Sequence, residues 1–299
     1  MWPMEGRLFY GGVFMLKKPT TYKEQIERLR AHGCVIEDEA FCEEVLTRIS
    51  YYRLSAYFLP LRATSGQCKL EVDFVKVYNL YEFDRKLRHL IFSAIEELEV
   101  YLRAQLSYFH AHKYGADGYL NPANFNNRHN HAKFIERIDE LVKRNDKLPF
   151  VSHHLAKYNG KFPLWVLTEL FTFGMLSYFY ADMISSDQKY IAHDIFDTSV
   201  SKAKSWLYCC TDLRNLCAHY GRLYYRVFSA APAKIEGVDA EAKRSLFAAV
   251  MALRELYPSQ PKWNNELLSS MVALFEEYAE VIELQHIGFP SDWESEIRK

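Results

Sequence analysis

The chain has 299 residues, 49% hydrophobic and 25% charged, which is enough for a sizeable core and excludes a disordered polypeptide. Its formal net charge is -1, from 37 basic and 38 acidic residues, so no global field draws it to nucleic acid and any such contact needs a local basic patch. Six cysteines without a CxxC pair, and a Met1–Phe14 stretch without a basic and then apolar leader pattern, predict a reduced, cytoplasmic protein with free thiols.

Residues 1–16 read as an N-terminal tail. The first helices are predicted over Tyr22–Ala31 and Glu39–Leu59. From Gln67 to Tyr114 there is neither Gly nor Pro, and apolar residues recur at Leu87, Leu90, Ile91, Ala94, Ile95, Leu98, Leu102 and Leu106. Those steps of three and four residues predict an amphipathic helix. Its part from Asp84 to His112 spans about 40 Å at helical rise and serves as a scaffold.

Gly115–Arg128 is rich in Gly, Asn and Pro and predicts a loop. Helices follow over Ala132–Arg144, Leu164–Met183 and Val200–Tyr220. The apolar stretch Phe162–Met183 carries Glu169 and Gly174 within it, so a buried core helix is expected and not a membrane span. After the connector Ala230–Asp239, the last two helices are predicted over Ala240–Leu256 and Asn264–His286. Strand-type alternation is nearly absent, which makes the fold all-α.

The segment Thr211–Phe228 reads TDLRNLCAHYGRLYYRVF. Asn215, His219 and Arg222 share a helix face, whereas Arg214 lies five residues from His219, about 140° around an ideal helix. Arg214 therefore meets His219 only through its long side chain, a local distortion near Gly221, or a second subunit. Such a set is suited to cutting RNA without metal, because RNA carries its own nucleophile in the 2′-OH. An imidazole moves protons near neutral pH, and a guanidinium fork holds the phosphate. Asn215 would orient the histidine or bind a phosphate oxygen. The alternative is structural: an ion pair at Arg214 and a satisfied polar histidine at a helix end.

Glu96, Glu99 and Arg103 fall on one side of the scaffold helix. Either Glu99 and Arg103 form an ordinary i,i+4 surface pair, or they face the Arg214/His219 site, where Glu99 would tune the histidine and Arg103 would add phosphate affinity. Cys209, Cys210, Cys217 and His219 lack a zinc spacing, and His129 with His131 lacks companion carboxylates at useful offsets, so no metal is expected. No P-loop, GxGxxG or GxSxG pattern is present, and no cofactor is expected.

Four blocks together resemble the Abi-like family of phage abortive-infection proteins, of the AbiD/AbiF type, within the HEPN superfamily of helical ribonucleases. They are Ile49–Tyr57 (ISYYRLSAY), Tyr81–Arg88 with Glu99 and Arg103, Pro163–Trp165 through Glu169 to Phe173–Ser177, and Arg214–His219 with Arg222-Leu223. The resemblance implies a HEPN-like helical bundle over 17–229, with additional N- and C-terminal helices and an extension over 230–299 packed on the same body. It implies that Arg214 and His219 are a catalytic pair with Asn215 as polar neighbour, completed in a homodimer. It further implies a defence or toxin-like role on RNA, held in check by a regulatory RNA or an antitoxin partner. Arg53, Arg85 and Arg88 become candidate RNA-phosphate contacts, or else solvated helix-face charges. Where the family pattern has an Asn after Arg222-Leu223, this chain has Tyr224-Tyr225. A non-catalytic module that holds a structured RNA in the same cleft is the competing reading.

Overall fold

The periodicity of the sequence emerges as helix in a computed structural model, which describes residues 18–61 and 72–298. In chain order the helices are α1 (Tyr22–Ala31), α2 (Glu39–Arg48), α3 (Tyr51–Ser55), α4 (Phe74–Tyr114), α5 (His131–Arg144), α6 (Pro149–Lys157), α7 (Leu164–Leu167), α8 (Phe173–Asp182), α9 (Ser185–Tyr190), α10 (Val200–Ala218) and α11 (Leu246–Leu256). Shorter turns and Ser269–Glu277 complete the chain. Among the described residues, strand is confined to a two-residue parallel pair, Cys34–Val35 with Val72–Asp73. The fold is all-α. The expected tail over 1–16 and Cys68 lie outside the described residues.

Caps explain where the helices differ from the expected ranges. α1 matches because Thr21 and Glu24 form a reciprocal capping box, Glu24 N donating to Thr21 Oγ1 (3.3 Å) and Thr21 N to Glu24 Oε2 (2.7 Å). The predicted helix Glu39–Leu59 is broken: Ile49 turns to extended backbone (φ -126°, ψ 114°), and Ser50 caps a new helix by accepting from Arg53 N at 3.3 Å. The predicted Leu164–Met183 is also broken, with Phe171 extended (φ -74°, ψ 137°) and Thr172 accepting from Met175 N at 3.3 Å to start α8. Ser245 plays that part for α11, which begins at Leu246 and not at Ala240. None of the described helices is long and apolar enough to cross a membrane.

The chain groups into two units. The first comprises residues up to Lys86 together with Leu274–His286. In it the Tyr57 hydroxyl donates to Asp84 Oδ2 (2.6 Å), both groups being buried, and Phe83 packs on Phe275 and Tyr278 at ring distances of 5.4 and 5.7 Å. A buried carboxylate is costly unless it accepts such bonds. Two of the family-like blocks thus meet in the interior, where the Tyr57 and Tyr81 rings also pack edge to face at 5.6 Å.

The second unit comprises Leu87–Ala273 with Ile287–Lys299. Here α10 packs against α8 and α11. Every residue of α11 from Leu246 to Leu253 is buried. At Gly174 in α8 an added Cβ would stand 3.4 Å from Thr211 Cγ2 of α10, an ordinary van der Waals contact, which puts these two positions opposite each other. The residues after 229 are consequently divided: α11 belongs with α10, while 274–286 belong with the first unit.

Candidate active site

α10 ends at Ala218, so its last turn presents Arg214 and Asn215, and His219 caps it with non-helical backbone (φ -97°, ψ 18°). The chain then closes a Schellman turn. Tyr220 N donates to Cys217 O (3.1 Å) and Gly221 N to Leu216 O (2.7 Å), with Tyr220 held in the left-handed region at φ 57°. A Cβ at Gly221 would lie 2.2 Å from Leu216 Cδ1 and 3.1 Å from Leu216 O, so only glycine closes this turn without displacement. Tyr225 is also left-handed (φ 56°), which places two strained non-glycine residues around Arg222. The expected distortion near Gly221 therefore exists, and it begins at the histidine itself.

The His219 imidazole is exposed and makes no hydrogen bond among the described residues. Asn215 is exposed on the same side of the helix, and its amide is likewise unbonded among the described residues; the backbone supplies its link to the histidine, His219 N donating to Asn215 O at 3.0 Å. Arg222, half-buried, sits in the turn that follows.

From α4, Glu99 reaches two arginines. Its Oε1 accepts from Arg103 Nη2 at 3.0 Å, and its Oε2 lies 3.5 Å from Arg214 Nε. The three side chains are 16%, 15% and 26% exposed for Glu99, Arg103 and Arg214. Arg103 Nη2 also donates to the Phe171 carbonyl at 2.9 Å. That acceptor is free because the chain leaves helical geometry at Phe171, so the break between α7 and α8 is what positions Arg103. Glu169, an exposed carboxylate, stands 3.8 Å from Arg103 Nη1 and is screened by solvent.

Glu99 is shared by two guanidiniums while the exposed Glu169 stands near Arg103 alone, so Arg214 has no carboxylate of its own in this cluster. Arg103 Nε and Arg214 Nε are both buried without a hydrogen-bond partner, and the Arg214 guanidinium makes no hydrogen bond among the described residues. Unused buried donors of this kind cost free energy until an acceptor arrives. An oxyanion with several acceptor oxygens fits that need.

Several expected roles change. Glu99 binds the two arginines and makes no hydrogen bond or ion pair to His219 among the described residues. Glu96 is exposed on α4 and makes no hydrogen bond or ion pair among the described residues. Arg88 is only 4% exposed and donates from Nη1 to the Gly221 carbonyl at 3.3 Å, so it is neither a solvated helix-face charge nor a phosphate contact; it pins the turn behind His219. Arg85 is held by Glu82 at 2.8 Å, and Arg53, half-buried in α3, belongs with Arg85 to the first unit. Cys209, Cys210 and Cys217 are buried while His219 is exposed, and burial pushes the Cys209 thiol up to about 12. Among the described residues no group of three His, Cys, Asp or Glu side chains is placed to hold a metal ion. The sequence reading missed the carboxylate near His129: Asp182 Oδ2 lies 2.9 Å from its Nδ1, and the His129 Nε2 to His131 Nδ1 distance is 3.2 Å.

A family model described as Abi-like protein matches residues 44–225, more than half of the chain. The chain belongs to the Abi-like family. No curated protein and no solved structure matches it. The family span contains Glu99, Arg103, Arg214 and His219, and it ends at Tyr225, the second left-handed tyrosine of this Abi-like protein.

Proposed function

We propose that this Abi-like protein is a metal-independent endoribonuclease of the HEPN type, acting in abortive infection or as a toxin. One observation carries the reading: Arg214, half-buried and using none of its hydrogen-bond donors among the described residues, stands one turn before an exposed His219 that a closed turn holds in place. Arg214 and Arg103 bind the scissile phosphate, Glu99 keeps both guanidiniums in place, and Asn215 contacts a phosphate oxygen or the sugar. His219 moves the proton: the 2′ oxygen attacks phosphorus as its proton is taken, the bond to the 5′ oxygen breaks, and that oxygen is protonated. The products are a 2′,3′-cyclic phosphate and a 5′-OH. Two copies facing one cleft supply one imidazole to take the proton and another to give it, which makes the homodimer the working form.

Cleavage of single-stranded RNA in EDTA by wild type, His219→Ala and Arg214→Ala is the test. Loss of the imidazole is expected to slow cleavage by about 10²–10⁴-fold, and loss of the guanidinium by about 10²–10³-fold. Alanine variants that cut as fast as wild type contradict the assignment. RNA held by both wild type and His219→Ala, and cut by neither, replaces it with a non-catalytic binding module.

A further inference from the structure

α8 and α10 run antiparallel in the second unit. Gly174 faces Thr211 with 3.4 Å between the added Cβ and Thr211 Cγ2, and two turns further along α8 the Asp182 carboxylate acts on Lys204 of α10. Tyr178 is four residues beyond Gly174 on α8 and Tyr208 three residues before Thr211 on α10, about 6 and 5 Å along their helices from that approach, so the antiparallel run sets the two at similar height. Both are strongly exposed, at 67% and 56%. Tyr208 lies on the side of α10 that carries Asn215 and His219, seven and eleven residues on, or about 10 and 16 Å along the helix.

Two cations stand at the far end of this pair. Lys204 is one turn before Tyr208, and Arg128 approaches it from the loop before α5. Neither side chain makes a hydrogen bond or ion pair among the described residues, and the Asp182 carboxylate is engaged by His129 at 2.9 Å. Burial first, and then the Arg128 charge, holds the Lys204 ammonium below the usual lysine range, with Asp182 opposing. An anion placed there would relieve that repulsion. Two exposed π faces beside two cations that make no ion pair among the described residues suit a ligand that is both aromatic and anionic.

We propose that Tyr178 and Tyr208 stack bases of a single-stranded RNA whose backbone is held by Arg128 and Lys204, forming a binding subsite on the α10 face that leads to His219. The proposal rests on the ribonuclease reading for its direction along the helix, but binding is measured separately from cleavage. A duplex hides its base faces, so this subsite selects unpaired strands.

The probes are a 2′-O-methyl oligouridine, which lacks the nucleophile, and an abasic phosphodiester of equal length. Binding is followed by fluorescence anisotropy over a salt series. Tyr178→Ala and Tyr208→Ala are each expected to weaken oligouridine binding by about tenfold or more, with no effect on the abasic strand. Tyr178→Phe and Tyr208→Phe retain wild-type affinity, which separates stacking from loss of fold. Arg128→Ala and Lys204→Ala weaken both probes and lower the salt slope by about one each. Tyrosine variants that bind both probes as wild type does overturn the proposal. So does a change of sedimentation from dimer to monomer in place of a change in RNA affinity, since a second copy would then cover this face. If wild type proves unable to cleave RNA while the tyrosine effect on binding stands, the subsite survives and the ribonuclease reading does not.

Discussion

Between α4 and α10 a single carboxylate, Glu99, holds Arg103 and Arg214 and leaves an Nε on each without an acceptor. The Glu99–Arg103 half of this arrangement is legible in the sequence, because i,i+4 residues meet on any helix. The Glu99–Arg214 half is not, since it depends on which helices become neighbours. His110 is another residue whose state comes from packing. It is fully buried among Tyr114, Phe125 and Phe179, with ring distances of 4.9, 5.7 and 5.2 Å, and neither ring nitrogen is hydrogen-bonded. Burial, opposed by Asp187 and aided by Lys113, pushes it down to about 4 from 6.5. Across that window the unfolded chain takes up a proton that the folded chain refuses, so stability falls as pH drops, by up to about 1.4 kcal/mol per pH unit. His110→Phe fills the same space without a titrating group. Urea midpoints from about pH 7 down to about pH 4.5 are expected to fall more steeply for wild type than for the variant, and parallel curves would contradict this.

Apolar spacing decided which elements could be read in advance, and local caps set where the chain breaks them. The range of α1 and the uninterrupted pattern of α4 were legible from that spacing, and the capping box at Thr21 and Glu24 fixes the start of α1. The breaks at Ile49–Ser50 and Phe171–Thr172 were not, because apolar spacing continues through both and only a single capping hydroxyl marks each new start. The second break has a consequence for the site, since it frees the carbonyl that holds Arg103. The turn after α10 makes a sharper demand. Gly221→Ala would bring Cβ to 2.2 Å from Leu216 Cδ1 and 3.1 Å from the Leu216 carbonyl oxygen. A loss of about 1–3 kcal/mol is expected from such overpacking, along with slower RNA cleavage as His219 shifts. Chemical denaturation and a cleavage assay on the same variant check both, and unchanged stability would show that the turn has slack.

At the level of the whole molecule, a net charge of -1 concealed where charge accumulates. Arg103 with Arg214, and Arg128 with Lys204, are pairs drawn from distant parts of the sequence, and only the packing of the second unit assembles them. Arg88 shows the reverse, a charge that reads as solvated and is buried because a turn carbonyl needs a donor. The all-α class and the family were legible from periodicity and the four blocks. The division of the C-terminal residues between two units was not, since 274–286 join the first unit through rings at Phe275 and Tyr278. The central claim is that Arg214 and His219 direct the RNA's own 2′-OH onto its phosphate. A single 2′-deoxy substitution at a mapped cleavage position, in EDTA, tests it most directly. The account predicts that the cut vanishes at that position alone, with cyclic phosphate ends at the cuts that remain; continued cutting at the deoxy position, or products with 3′-OH ends, would contradict it.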